Sequence, residues 1–273
     1  MMFEGGKVSI DLRPVHGLLP HEEIIESRAS EMALRLRNDG VQKDPLLVDR
    51  KSGAVLDGMH RLEAFQRLGI EQAVCCELDY DSEDVSLRRW ARVFKTAGVG
   101  APEGPMRELG FFPSGNQTGA LPQLERREIS VAALSPGRCF LPRENNGIQQ
   151  AFEMVRNVDK LAERLGWTRS FVPEDELDAP LRDSSRLVVI VERLDKEDVV
   201  TAARTARLFP CKTSMHIVDP RPVGLSVPLN ELRNSSKHTL ELRMSGRSFR
   251  MLPPNSIYEG RRYKERLLLF DRQ

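Results

Sequence analysis

Val55-Leu56-Asp57-Gly58-Met59-His60-Arg61-Leu62-Glu63-Ala64-Phe65-Gln66-Arg67-Leu68-Gly69, preceded by Ala54, is the stretch on which the fold turns. A short apolar run, residues 54–56, stops at Asp57-Gly58. Leu62, Phe65 and Leu68 then recur at helical spacing, and Gly69 stands where a helix C-cap glycine belongs. Asp57, Gly58, His60 and Arg61 therefore occupy a strand-to-helix turn. Such a turn offers unpaired backbone N–H groups and the positive end of a helix dipole. Glycine lets a ligand approach the backbone, and His60 and Arg61 add donors, a combination that suits an anion and above all a phosphate. The plainer alternative is that Asp57 caps the helix, Gly58 makes the turn and Arg61 is solvated.

Outward from this turn the chain reads as a small α/β domain. Residues 8–12 alternate as a first strand, and 45–49 form a buried strand. The turn at 50–53 returns the chain as the 54–56 hairpin partner. A helix over 31–37 precedes the hairpin and a strand over 73–80 follows the motif helix. Residues 86–94, with Trp90, have helical spacing. From 96 to 122 glycines (Gly98, Gly100, Gly104, Gly110, Gly115, Gly119) and prolines (Pro102, Pro105, Pro113, Pro122) mark a linker or mobile loop, although Phe111-Phe112 within it calls for packing. A second α/β domain follows over 123–273. It has a hairpin at 129–141, a helix over 149–165, a buried strand at 186–193, a helix over 195–207, and strands at 224–229 and 263–270. The expected organisation is thus 1–95, a connecting 96–122 and 123–273, in an α/β (α+β) class.

Composition narrows the function. The 273 residues carry 40% hydrophobic and 30% charged side chains, and the net charge of +1 gives no global case for nucleic acid or membrane. No apolar run approaches the ~20 residues of a membrane span, and the first residues lack a signal-peptide core, so the expected location is the cytoplasm. Cys75, Cys76, Cys139 and Cys211 form no CxxC pair and read as structural thiols. A locally basic run (Arg243, Arg247, Arg250, Arg261, Arg262, Lys264, Arg266) reads first as a solvated face and second as a nucleic-acid patch.

Asp-Gly-x-His-Arg between a hairpin and a helix resembles the signature of the ParB/sulfiredoxin-like superfamily. More narrowly it resembles that superfamily's free L-serine kinases, nearest to the siderophore-pathway type, which make O-phospho-L-serine from serine and a nucleotide. The resemblance rests on order: Pro20-His21-Glu22, then Asp57-Gly58-Met59-His60-Arg61, then Trp90, then Lys212-Thr213-Ser214-Met215-His216. It implies that Glu22 is the general base for the serine hydroxyl. Asp57 is implied to help hold Mg²⁺ or the reacting groups, with Asp57 and His60 counted among the catalytic residues. Gly58, Met59, His60 and Arg61 are implied to cradle nucleotide phosphates. Trp90, Thr213, Ser214 and His216 are implied to contact the serine or its phosphate, in a cleft between two domains. Taken by residue type alone, Glu22 and Glu23 suit a helix N-terminus, Trp90 suits a domain interface, and 212–216 suits a polar loop.

Members of the branch carry either histidine or an aliphatic residue where this chain has Met59. The aliphatic form resembles the ATP users, so ATP is expected over ADP. A sulfiredoxin needs a nucleophilic cysteine at that position, and a thioether cannot serve. A ParB-like, nucleotide-dependent DNA-binding transcriptional regulator is the alternative, because the N-terminal fold is shared. Against it, the Gly-Glu-Arg-Arg motif of the partition proteins is replaced here by Gly-Met-His-Arg.

Overall fold

Strand Val55–Asp57 and helix Met59–Arg67 are joined by Gly58 alone, in the left-handed region at φ 113°. The computed structural model describes residues 2–3, 8–96, 103–234, 240, 244 and 246–271. Gly98, Gly100, Pro102 and Arg243, named above, lie outside the described residues. The chain divides into two compact units, each assembled from separate stretches. One takes Met1–Leu87, Lys196–Cys211 and His216–Gln273, and the other takes Arg88–Asp195 and Lys212–Met215.

The first unit is built on a five-stranded open sheet in the order Met2–Phe3, Val8–Pro14, Gln72–Leu78, Leu46–Asp49, Val55–Asp57. All pairings are antiparallel except Leu46–Asp49 with Gln72–Leu78, between which the chain runs through strand Val55–Asp57 and helix Met59–Arg67. The register sets Leu46 opposite Cys75 and Leu47 opposite Cys76. Both strands are buried nearly throughout, as parallel strands covered on both faces are. Helix Glu26–Asp39 packs on Met59–Arg67 and ends at Gly40, at φ 64°. A smaller sheet sets Arg221–Val223 parallel and Phe249–Leu252 antiparallel to Leu267–Phe270, over a cluster of Val223, Tyr263 and Leu267.

The second unit is an open antiparallel sheet in the order Thr168–Pro173, Val85–Lys95, Arg186–Val191, Val131–Ser135, Arg138–Pro142, Phe111–Pro113. Its core includes Ala91, Val93, Leu134, Val188, Ile190 and Leu124. Helix Ile148–Arg164 turns Phe152, Val155, Val158 and Leu161 inward. The Gly- and Pro-rich stretch before it carries structure of its own: helix Glu103–Glu108, strand Phe111–Pro113 and helix Gln117–Glu125. Phe111 is fully buried.

Two expectations are corrected. Of residues 224–229 only Val227–Pro228 are strand, and Leu229 opens the helix Leu229–Asn234. Residues 86–94 belong to the strand Val85–Lys95, not to a helix. Leu87, Trp90, Ala91 and Phe94 do fall at helical spacing, but Ala91, Arg92, Val93 and Phe94 bury both faces of the strand, so Arg89 and Arg92 do not mark a solvent side. Arg89 is buried against Glu125 and Glu174, and Arg92 against Asp159. Charge compensation, rather than exposure, accounts for these arginines.

All four cysteines are free and buried. Burial pushes the Cys76 thiol up to about 12 and Cys139 to about 11, and raises Cys75 further, which keeps them protonated packing residues. Among the described residues no helix is long and apolar enough to cross a membrane.

Candidate active site

The segment before the first helix is laid along the edge of the sheet. Leu19 bridges Ala54 in parallel, its N–H donating to the Gly53 carbonyl while the Val55 N–H donates back to its own. Two residues on, the His21 ring reaches the Val55 carbonyl from Nδ1 at 2.7 Å. Glu22 is therefore carried toward the end of Val55–Asp57 that opens into the Gly58 turn. Its other flank is held by Phe209, whose N–H donates to the His21 carbonyl and whose carbonyl accepts from the Glu23 N–H. A carboxylate side chain that is 9% exposed results, with backbone fixed on both sides. Burial holds His21 below the usual histidine range, against the opposing pull of the Glu22 charge. His21 is thus neutral at pH 7, with its proton on the nitrogen that faces Val55. Nε2, without a proton, lies 3.9 Å from Glu22 Oε1.

The turn itself requires glycine. A Cβ built on Gly58 would lie 2.5 Å from Leu46 Cδ2, inside any real contact distance. No side chain caps the helix, and the Arg61 and Leu62 N–H groups close back on the Gly58 carbonyl. Met59 is buried, so its offering to a ligand is the backbone N–H rather than the thioether. The Arg61 guanidinium passes beneath the turn and donates from Nη1 to the carbonyls of Asp44 (2.6 Å) and Pro45 (2.7 Å). It locks the start of Leu46–Asp49 to the motif helix. His60 Nε2 accepts from the Ile25 N–H at 2.9 Å and so anchors the start of helix Glu26–Asp39. The same ring lines a pocket of about 330 Å³ with Arg28, Glu31, Met32 and Arg35 of that helix. Two arginines thus share one cavity with His60 and the Glu31 carboxylate, a surplus of cation that suits an anion such as phosphate.

Asp57 is the other pole. Its Oδ2 accepts from Arg221 Nη1, and the Arg221 guanidinium also donates to Glu265 and, at 2.8 Å, to the His216 carbonyl. Burial opposes the Arg221 charge, yet Asp57 and Glu265 outweigh it and raise its pKa. A second arginine, Arg261, places Nη1 3.7 Å from the same Asp57 oxygen. His216 is buried beside His21, ring centroids 5.4 Å apart in an edge-on contact. Burial lowers its pKa well below the ordinary value, with His21 adding to the effect. Tyr80, whose phenol burial keeps protonated, donates to His216 Nε2 at 2.7 Å, and the ring also bonds the Leu56 backbone. Both nitrogens of His216 are therefore engaged within this unit.

Trp90, Thr213 and Ser214 belong to the second unit. The Trp90 N–H donates to the Thr213 carbonyl at 3.1 Å, and Lys212 Nζ stands 5.2 Å over the indole. Lys212 takes a left-handed φ of 57°, while Thr213 and Ser214 are buried. Of the residues expected from sequence, Glu22, Asp57, Gly58, Met59, His60, Arg61 and His216 share the first unit. Arg221, Glu265, Arg261, Tyr80, Arg28 and Arg35 carry no motif and were not anticipated there.

The ATP-dependent L-serine kinase of Desulfurococcus mucosus is 27% identical over 233 residues, which is 80% of this chain and 89% of that protein. The ADP-dependent L-serine kinase of Thermococcus kodakarensis is 22% identical over 230 residues, 78% of this chain and 88% of that protein. A solved free serine kinase in complex with AMP superposes with a TM-score of 0.69 at 23% identity, over 83% of this chain and 94% of the other. The chain shares the fold of that free serine kinase and is similar to the L-serine kinases over most of its length. No family model matches it. Both donor types occur among these relatives, so relationship alone leaves the nucleotide of the present chain to its own residues.

Proposed function

We propose that this protein transfers a phosphoryl group from ATP, or ADP, to the hydroxyl of free L-serine, giving O-phospho-L-serine. The observation that carries the reading is Glu22: a buried carboxylate, pinned by backbone bonds on both sides, at the strand end that opens into the Gly58 turn. A serine hydroxyl is a weak nucleophile, and a fixed carboxylate within reach removes its proton as the oxygen attacks. The new bond joins serine Oγ to the terminal phosphorus, the bond to the leaving phosphate oxygen breaks, and the proton passes to Glu22. Neutral His21 places no positive charge beside Glu22.

The nucleotide's phosphates are assigned to the Met59 and His60 end of the helix, with Arg28 and Arg35 across the pocket. Arg61 and the Nε2 face of His60 act by shaping the turn, since their described bonds are to backbone. Among the described residues no group of three acidic, histidine or cysteine side chains could hold a metal unaided. Mg²⁺ is instead commonly held by one or two carboxylates with phosphate oxygens and water. Asp57 fits as such a carboxylate. The ion would neutralise charge on the phosphates. Thr213, Ser214 and Trp90 are proposed serine contacts, and His216 orders Arg221 and Tyr80 behind Asp57.

Replacing Glu22 with Gln keeps size and hydrogen bonding while removing the base. Turnover should fall by at least the ~10²-fold typical of a lost general base, with ADP affinity by calorimetry within about threefold, on the order of 0.7 kcal/mol. Equal loss of turnover and binding would give Glu22 a structural role and overturn the assignment.

A further inference from the structure

Arg261 is the part of the first unit that the reading above leaves unused. It sits on a two-residue hairpin, Ile257–Tyr258 paired with Arg261–Arg262, closed by Glu259 and Gly260 at φ 47° and 77°. Its guanidinium lies 4.6 Å over the ring of buried Tyr263, and Arg221 stacks on the same ring at 5.6 Å. The separation from Asp57 Oδ2, 3.7 Å, is too long for a hydrogen bond. Arg221 already donates to that oxygen and takes Glu265 as its second carboxylate. Arg261 is therefore braced by an aromatic ring, half exposed, and aimed at the acidic residue of the turn with its donor fork uncommitted among the described residues. A guanidinium so held loses little freedom when it grips an anion with two parallel hydrogen bonds.

We propose that Arg261 binds the phosphoryl group in transfer, donating to its non-bridging oxygens at the Asp57–Gly58 turn. The proposal rests on the placement of nucleotide phosphates at that turn. It makes the hairpin a working part of the site rather than surface decoration. No bond is made or broken by Arg261. It stabilises charge that spreads over the phosphoryl oxygens, a role in which a supplied arginine contributes ~10³-fold or more to turnover.

The test uses the full chain carrying Arg261→Ala or Arg261→Lys, with steady-state kinetics for both substrates. Calorimetry without serine, with the donor nucleotide (ATP or ADP) and with the same nucleotide one phosphate shorter, supplies a readout that needs no turnover. The Ala variant should lose at least about 10²-fold in kcat, hold its KM for L-serine within about twofold, and narrow the preference for the donor over its shorter form by about tenfold. Lys should restore part of that preference as a point charge but little of kcat. Unchanged melting temperature in both variants is expected, since Arg261 is exposed. An unchanged preference for the donor over its shorter form overturns the proposal. So does a rise in serine KM alone, which would assign the guanidinium to the acceptor's carboxylate. If the wild-type protein phosphorylates no serine yet loses its preference for the terminal phosphate of ATP or of ADP on Arg261→Ala, the acceptor reading fails and Arg261 keeps its role.

Discussion

Gly58→Ala tests the physical basis of the site at one atom. Two costs add. Holding alanine at φ 113° costs roughly 1–3 kcal/mol. The new methyl would sit 2.5 Å from Leu46 Cδ2, and because Leu46 is fully buried in the parallel strand pair, making room costs about 1–3 kcal/mol more. The first unit should therefore lose about 2–6 kcal/mol, read as a lower urea midpoint by circular dichroism. Leu46→Ala removes the clashing atom but leaves the backbone strain. The double variant Gly58→Ala/Leu46→Ala should accordingly be more stable than the sum of the single losses by about 1–3 kcal/mol. ADP affinity should fall in the single variant, since the N–H groups of the turn move with Gly58. A Gly58→Ala protein within about 0.5 kcal/mol of wild type, or a cycle with no coupling to Leu46, would refute the close approach and the reasoning built on it.

Three further outcomes are expected. His21 and His216 have folded pKa values below their unfolded ones, so the unfolded chain binds more protons as pH falls through and below the ordinary histidine range. Stability is therefore full above that range and declines on acidification, by up to about 1.4 kcal/mol per pH unit for each group; a melting temperature flat from pH 7 to 5 would contradict this. His60→Ala removes the acceptor for the Ile25 N–H at the start of helix Glu26–Asp39 and should cost about 1 kcal/mol, whereas His60→Asn should recover part of it; equal urea midpoints for all three would argue that the contact is idle. Arg221→Met strands Glu265 in a buried setting and removes the nearer arginine from part-exposed Asp57, and should cost about 3–5 kcal/mol in thermal unfolding, so a loss below 1 kcal/mol would show that Glu265 finds another partner.

The motif turn was legible because every element of it is local: an apolar run, an Asp-Gly stop, apolar residues at 62, 65 and 68, and a closing glycine. What could not be read is what lies far away in sequence. Asp57 meets Arg221 across 164 positions, and Arg61 meets the Asp44 carbonyl across 17. Arg61 reads in sequence as an anion donor, while its described bonds are to backbone; nothing in spacing separates the two uses. The strand Val85–Lys95 misled because buried, carboxylate-paired arginines leave an apolar spacing of three and four on a strand. Glu22 drew its meaning from the order of motifs along the chain. The physical reason for its position, a parallel bridge of Leu19 onto Ala54, has no sequence signature.

The most direct measurement is phosphorus NMR of the protein with Mg²⁺ and L-serine, run separately with ATP and with ADP and repeated with Glu22→Ala. Phosphoserine formed with at least one nucleotide, and lost in Glu22→Ala while ADP still binds, is the expected result. No phosphoserine with either nucleotide from a folded, ADP-binding protein would contradict the proposed reaction, and undiminished product from Glu22→Ala would contradict the assigned base.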